Sequence, residues 1–356
     1  MSGLTYLHLG GFSGSALSLR DALRARTAVR AIDLLPLARE PALLPARARA
    51  HLEARRAAGA VPWTKTAAWW TAVQRRLARS GVLEPASPLL VVQSLPAFVL
   101  GEQFNYAVYT DRVGREGARV GDAHSSRFTD GWLERETAFL RGAAQVFVMG
   151  PTTEQALIEE YGLPPEKVSV VGAGPNMALG AARPRAGCQR LLFVGTQWAL
   201  KGGPTLLEAF AALRSAHPAL ELTLVGSAPD GPLPTGVRSL GRVAHNLMDA
   251  VYDAADLLVI PTHMEAFGIA LVEGLIKGLP CVCSTVGNQP WLVGDAGVAV
   301  PAGDGEALAA ALQRVVTDYP EYHARALRRG GELRETMRWS MVADRIVERF
   351  LAAPAK

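Results

Sequence analysis

The sequence predicts an α/β protein made of two Rossmann-like domains, each a parallel sheet with helices on both faces. Three observations predict it. A length of 356 residues, at roughly 100–200 residues per domain, suits two domains rather than one. Short apolar, β-rich runs alternate with longer stretches of helical period, as in sheets buried between helix layers. The alternation also produces about six strands twice, on either side of NMALGAARPRAGCQ (176–189), a segment rich in Ala, Gly and Pro without apolar period.

In the first half the strands read TYLHLG (5–10), VRAIDLL (29–35), LLVVQS (89–94), NYAVYT (105–110), QVFVMG (145–150) and KVSVVGAG (167–174). The glycine-rich GGFSGSA (10–16) follows the first of them, where a tight strand-to-helix turn calls for glycine. Residues 40–88 interrupt the alternation with two helical stretches, the second carrying Trp63, Trp69 and Trp70 beside Arg75, Arg76 and Arg79. In the second half the strands read RLLFVG (190–195), LELTLVG (220–226), VRSLGRV (237–243), DLLVIPT (256–262), CVCST (281–285) and GVAVPA (297–302). The expected domains are 1–185 and 186–339, followed by an amphipathic helix over 340–352 with Met341, Val342, Ile346, Val347 and Phe350 on one face.

Composition narrows the class of protein. With 49% hydrophobic, 20% charged and 7% aromatic residues, the chain is neither disordered, collagen-like nor a disulfide scaffold. The net charge of +4 lies entirely in residues 1–180, which hold 20 basic against 16 acidic residues; the rest balance at 17 each. Residues 20–79 concentrate it, with 13 basic side chains against Asp21, Asp33, Glu40 and Glu53. Three cysteines, two of them at 281 and 283 on one extended strand where bridging is difficult, fit a reduced compartment. No basic run followed by an apolar one opens the chain, and no stretch approaches the ~18 apolar residues of a membrane span. A cytoplasmic protein is expected, with any membrane contact peripheral.

The window PTHMEAFGIALVEGLIKGLP (261–280) carries the most chemistry. It sets a strand, a short loop with Glu265, a Phe-Gly pair and a helix containing Glu273 in order. An offset of eight residues is a little over two helical turns, so both carboxylates would lie near one face. The peptide N–H groups of Phe267, Gly268, Ile269 and Ala270 would be the unsatisfied donors of a helix start, which suits an anion. Gly268, without a Cβ, would let a phosphate approach closely.

With its neighbours this window resembles the retaining, nucleotide-sugar-dependent glycosyltransferases of family 4. FVGTQWALKGGPTLLEAFAAL (193–213), LTLVG (222–226), LGRV (240–243), DAADLLVIP (253–261), KGLPCV (277–282) and PAGDGEALAAAL (301–312) carry the resemblance through the second half. GGFSGSA and TEQALIEEYGLPPEKVSVVGAGPN (153–176) extend it into the first. The family implies the GT-B fold: two Rossmann-like domains with parallel sheets facing across a cleft, and a C-terminal helix crossing back to the first domain.

It also implies roles. Glu265 would meet the hydroxyls of the donor sugar, and Glu273 the ribose of the nucleotide. The backbone from Phe267 through Gly268 to Ile269 would hold the distal phosphate, with Ala266 beside it a further donor-binding candidate. Lys201 would face the diphosphate and support the leaving group. Gly10, Gly11, Ser13 and Gly14 would close on the phosphates from the first domain, and backbone near Val243 would meet the base. His263, two residues before Glu265, is a donor-contact candidate whose alternative is a local hydrogen-bonding role. Thr196 stands where many members have Arg. VYTDRV (108–113) lacks the members' sugar-facing His, leaving Thr110, Asp111 or Arg112 in its place, with Asp111 the catalytic candidate. Gln289-Pro290-Trp291 replaces a common Pro-Glu. The mechanism implied is metal-independent transfer of a hexosyl group with retention. No Asp-x-Asp motif and no metal-ligand spacing among the seven His were found.

The basic, Trp-bearing stretch 40–80 has three readings: a solvated face with tryptophans in the core, a platform for an acidic or lipid-linked acceptor, or a membrane-surface patch; the acceptor is expected near the basic residues 20–79. Nucleic acid is not expected, for no binding fold motif accompanies the charge. Rival functions are a catalytically silent nucleotide-sugar-binding protein, or an epimerase, phosphorylase-like or cyclitol-coupling enzyme on the same fold. Nucleotide base, sugar, acceptor and pathway are not specified by these motifs.

Overall fold

The computed structural model describes residues 3–10, 14–36, 40–56, 63, 66–84, 87–94, 104–115 and 130–352. The chain forms two compact units, Met1–Ala173 with Trp339–Lys356, and Gly174–Arg338. Each unit is built on a six-stranded sheet whose strand pairs are all parallel.

In the first unit the strands are β1 (Leu4–His8), β2 (Val29–Asp33), β3 (Leu89–Val92), β4 (Tyr106–Thr110), β5 (Gln145–Val148) and β6 (Val168–Val170), in the order β2-β1-β3-β4-β5-β6. β1, β3 and β4 are buried along their whole length, which explains why they read as continuous apolar runs rather than as alternating ones. Trp69, Trp70, Trp132, Phe139 and Tyr161 fill the core against Leu7, Val91, Val108 and Val146. The insertion between β2 and β3 supplies the helices Leu44–Arg56 and Ala67–Ser80, packed on each other. Thr66 caps the second by accepting the Trp69 N–H, and the Glu53 carboxylate accepts the N–H groups of Ala67 and Ala68 at 3.1 and 3.2 Å.

The C-terminal helix Trp339–Ile346, prolonged by a π-turn over Val347–Leu351, belongs to this unit. It packs on the helix Ser15–Arg24, with Asp344 paired to Arg26 at 2.7 Å. Arg345 donates to the Val171 carbonyl at 2.9 Å and Arg349 to the Ser169 hydroxyl at 2.8 Å, so two arginines cover the edge strand β6.

In the second unit the strands are β7 (Arg190–Gly195), β8 (Glu221–Gly226), β9 (Val237–Ser239), β10 (Leu257–Ile260), β11 (Cys281–Ser284) and β12 (Gly297–Val300). Their order, β12-β11-β10-β7-β8-β9, is the doubly wound arrangement that reverses direction between β7 and β10. Ligands of such sheets bind beyond the carboxyl ends of the strands at that reversal. The three cysteines are free thiols.

Two of the boundaries that differ from the sequence expectation bear on the site and the division into units. β9 stops at Ser239, which leaves Val243 in a loop. The units divide at Ala173–Gly174 rather than near 185, because the segment after Gly174 is tied to the second unit. Gly180 N–H donates to Asp249 at 2.9 Å, and the Arg185 guanidinium donates to the carbonyls of Ala255 and Lys277 at 2.7 and 3.0 Å. Among the described residues no helix is long and apolar enough to cross a membrane.

Candidate functional site

The site takes shape where β7 and β10 end side by side. Glycine makes their loops fit: a Cβ on Gly202, at φ +75°, would lie 2.0 Å from the Pro261 carbonyl oxygen. With the loops that close, the His263 N–H donates to the Leu200 carbonyl at 2.9 Å. Lys201, the residue before that glycine, extends Nζ to 2.9 Å from Glu265 Oε2. The Glu265 loop is set in turn by the Thr262 hydroxyl, which donates to the Met264 carbonyl at 2.7 Å, and by Ser284, whose hydroxyl donates to the Thr262 carbonyl at 2.6 Å. Two groups 64 positions apart in sequence thus form one ion pair at the sheet's reversal point.

The loop after β11 holds the other side. A Cβ on Gly287, at φ +58°, would lie 2.3 Å from the Glu265 carbonyl oxygen, and Asn288 Nδ2 donates to the Ala266 carbonyl at 2.8 Å. Buried Gln289 accepts the Ser284 N–H at 3.0 Å, so the departure from Pro-Glu is an internal brace for this loop. Phe267 is buried, its ring centroid 6.4 Å from that of Trp291. Gly268 then turns left-handed, at φ +109°, and the helix Ile269–Ile276 begins. Leu271 N–H donates back to Gly268, whereas the N–H groups of Ile269 and Ala270 precede any acceptor of their own helix.

Glu273 is five residues into that helix and only 5% exposed. Its Oε2 accepts the Tyr252 hydroxyl at 2.8 Å and its Oε1 accepts the Asn176 N–H at 3.2 Å. Burial pushes its carboxyl above the usual range, with Tyr252, Asn176 and the charge of His245 pulling the other way. As the sequence placed them, Glu265 lies in the loop ahead of the Gly268 turn and Glu273 inside the helix that follows. One carboxylate pairs with Lys201; the other turns inward to Tyr252.

The remaining candidates are more dispersed. Thr196 is exposed just after β7, His263 is exposed beside Gly303, and Val243 is half-buried. In the first unit, Gly14 takes φ +91° at the start of the helix Ser15–Arg24, and Gly10 N–H donates to Asp33 Oδ1 at 2.8 Å. Gly11 and Ser13 lie outside the described residues. Asp111 follows β4, its carbonyl accepting the Thr153 hydroxyl at 2.7 Å. Among the described residues no three His, Cys, Asp or Glu side chains group as a metal site.

Sequence reasoning missed Tyr252, Asn176 and Asn288. None carries a local signal: Tyr252 reads as one apolar residue of a six-residue helix, and Asn176 as part of a linker.

Residues 188–318 match the family model for glycosyl transferases group 1. The chain is 27% identical over 279 residues to a glycogen synthase of Mycobacterium tuberculosis, covering 72% of this chain and 66% of that protein. It is 32% identical over 241 residues to a D-inositol 3-phosphate glycosyltransferase of Thermomonospora curvata, covering 57% and 56%. These matches therefore span from just over half to about two thirds of the relatives' own lengths. Among solved structures, sucrose-phosphate synthase from Thermosynechococcus elongatus superimposes with a TM-score of 0.71 at 20% identity over 99% of both chains. HepE from Anabaena, in complex with UDP and glucose, gives 0.71 at 15% identity over 99% of this chain and 100% of its own. The chain has the GT-B fold, and the match to glycosyl transferases group 1 falls within its second unit.

Proposed function

We propose that the chain is a retaining glycosyltransferase that moves a hexosyl group from a nucleoside-diphosphate sugar to an acceptor hydroxyl without a metal ion. The observation that carries the reading is the Lys201–Glu265 pair at the reversal point of the second sheet, beside the Gly268 helix start. Lys201 presents a compact cation to the diphosphate. The Ile269 and Ala270 N–H groups are aligned donors for the distal phosphate. Glu265 accepts hydrogen bonds from the sugar, and Glu273 from the ribose. In the transfer step the bond from the anomeric carbon to the diphosphate oxygen breaks while the acceptor oxygen bonds to that carbon on the same face. The acceptor's proton passes to the departing phosphate, and Lys201 steadies the charge that develops there.

The test is a thermal-shift screen of nucleoside diphosphates and their sugars, followed by transfer assays with the responding donor. A ligand at 100 times its dissociation constant adds about 2.7 kcal/mol of stability. Lys201→Ala is expected to weaken donor binding or turnover at least tenfold, about 1.4 kcal/mol. Glu265→Gln is expected to lose turnover while keeping nucleoside diphosphate binding. Unchanged transfer in both variants would sink the assignment. Thr196 favours a second reading, a silent nucleotide-sugar sensor; such a protein would be stabilised by a donor that it never consumes.

A further inference from the structure

Among the described residues every left-handed backbone position but one is a glycine; the exception is Gln93, at φ +70°. A side chain there crowds the neighbouring peptide groups, and glycine would take the same conformation without that cost. What the position retains at that cost is the glutamine side chain. Strained residues of this kind collect where a protein meets a ligand, and they persist only where the surrounding structure holds them.

Gln93 directly follows β3, and the first sheet reverses direction between β1 and β3. The residue therefore stands at the carboxyl end of the strands, where sheets of this kind take their ligands. Its N–H donates to the Tyr109 carbonyl at 2.8 Å, which sets it beside Thr110 and Asp111 at the end of β4. A buried carboxyl fastens the two strand ends together. Glu136, on the helix Asp130–Gly142 and 0% exposed, accepts the Ser94 hydroxyl on Oε1. On Oε2 it accepts the Tyr161 hydroxyl and the Gly114 N–H, the latter at 3.0 Å. The backbone after β3 and after β4 is thus held, whereas the half-buried Gln93 amide has no hydrogen-bond partner among the described residues. An amide offers both a donor and an acceptor and carries no charge, which suits a hydroxyl better than a phosphate.

We infer that Gln93 is a specificity-determining residue, the side chain with which the first unit reads a hydroxyl of a polyol acceptor at the ends of β3 and β4. That this polyol is the acceptor rests on the transferase reading; its contact with Gln93 does not.

Saturation-transfer NMR of the full chain with glucose, myo-inositol and glycerol, each alone and with UDP, tests it. At least one of the three is expected to bind, and Gln93→Ala is expected to weaken that binding about 3- to 10-fold, the loss of one hydrogen bond. Gln93→Gly, which removes the amide and the strain together, should bind as weakly as Gln93→Ala yet melt about 2–4 °C above it. No signal from any of the three with the parent, undiminished binding in Gln93→Ala, or a glycine variant that melts no higher than the alanine one overturns the inference. So does binding that Glu265→Gln removes and Gln93→Ala does not, which would assign the polyol to the donor site. A UDP-induced thermal shift reads the donor site separately: its absence, with polyol binding still weakened by Gln93→Ala, would refute the donor reading and leave the Gln93 contact standing.

Discussion

Replacing Glu273 by Gln separates what this carboxylate does for function from what it costs the fold. In the folded chain the buried carboxyl has a raised pKa, so the native state holds its proton over a range in which the unfolded chain has lost it. Stability contributed by this group is therefore greatest below the ordinary carboxylate range and falls as pH rises toward the raised value. Each pH unit of that interval costs about 1.4 kcal/mol. Gln never ionises and escapes the cost. The amide also fits: Oε1 can accept the Asn176 N–H while Nε2 donates to the Tyr252 hydroxyl oxygen, which can rotate its own proton away. The melting temperature of Glu273→Gln should match the parent at acid pH and exceed it by about 3–6 °C per pH unit as the interval is crossed. Loss of a charge-assisted bond to the ribose, about 1.5–3 kcal/mol, should weaken the donor roughly 10- to 150-fold. Scanning fluorimetry across pH, with and without donor, reads both. A stability difference that does not grow with pH would refute the burial argument. A full donor response would refute the ribose assignment.

Two further predictions concern how the site is held. Lys277 is fully buried, with Nζ 2.7 Å from Asp249 Oδ1 and 2.9 Å from Asp253 Oδ1, the latter out of hydrogen-bond alignment. Lys277→Met should cost about 2–4 kcal/mol by urea denaturation, below the full cost of orphaning a buried charge because water reaches Asp249. Lys277 holds the Asp249 carboxyl below its usual range, so the parent should lose this stability as pH falls through that lowered value, and the variant should show a flatter acid limb. An identical acid limb would count against the pairing. Gly202→Ala forces a side chain into a left-handed position and against the Pro261 carbonyl. It should cost about 2–4 kcal/mol and reduce the donor-induced thermal shift by displacing Lys201; an unperturbed donor response would show that Lys201 is not positioned through this contact.

Much of this molecule was written locally. The central strands were legible because a strand buried between helix layers needs an unbroken β-rich apolar run, and such a run is a property of neighbours in the chain. Lys201, Glu265 and the Gly268 turn were likewise legible, carried by motifs of fewer than about twenty residues. What those residues touch was decided elsewhere. The 2.9 Å approach of Lys201 to Glu265 exists because β7 pairs with β10, and because glycine at 202 admits the Pro261 carbonyl. Glu273 faces Tyr252 and Asn176 because the chain after Gly174 returns along the second unit, which also moved the division between units upstream of 185. The same holds for the insertion. Its sequence announced arginines and tryptophans, but only packing put Ala50 inside and Leu44 and Leu52 outside, because a helix shows its neighbours whichever side the space available allows. Periodicity determines which elements form; burial, charge pairing and the choice of face depend on residues brought together from far apart in the chain, and the tertiary structure alone supplies them.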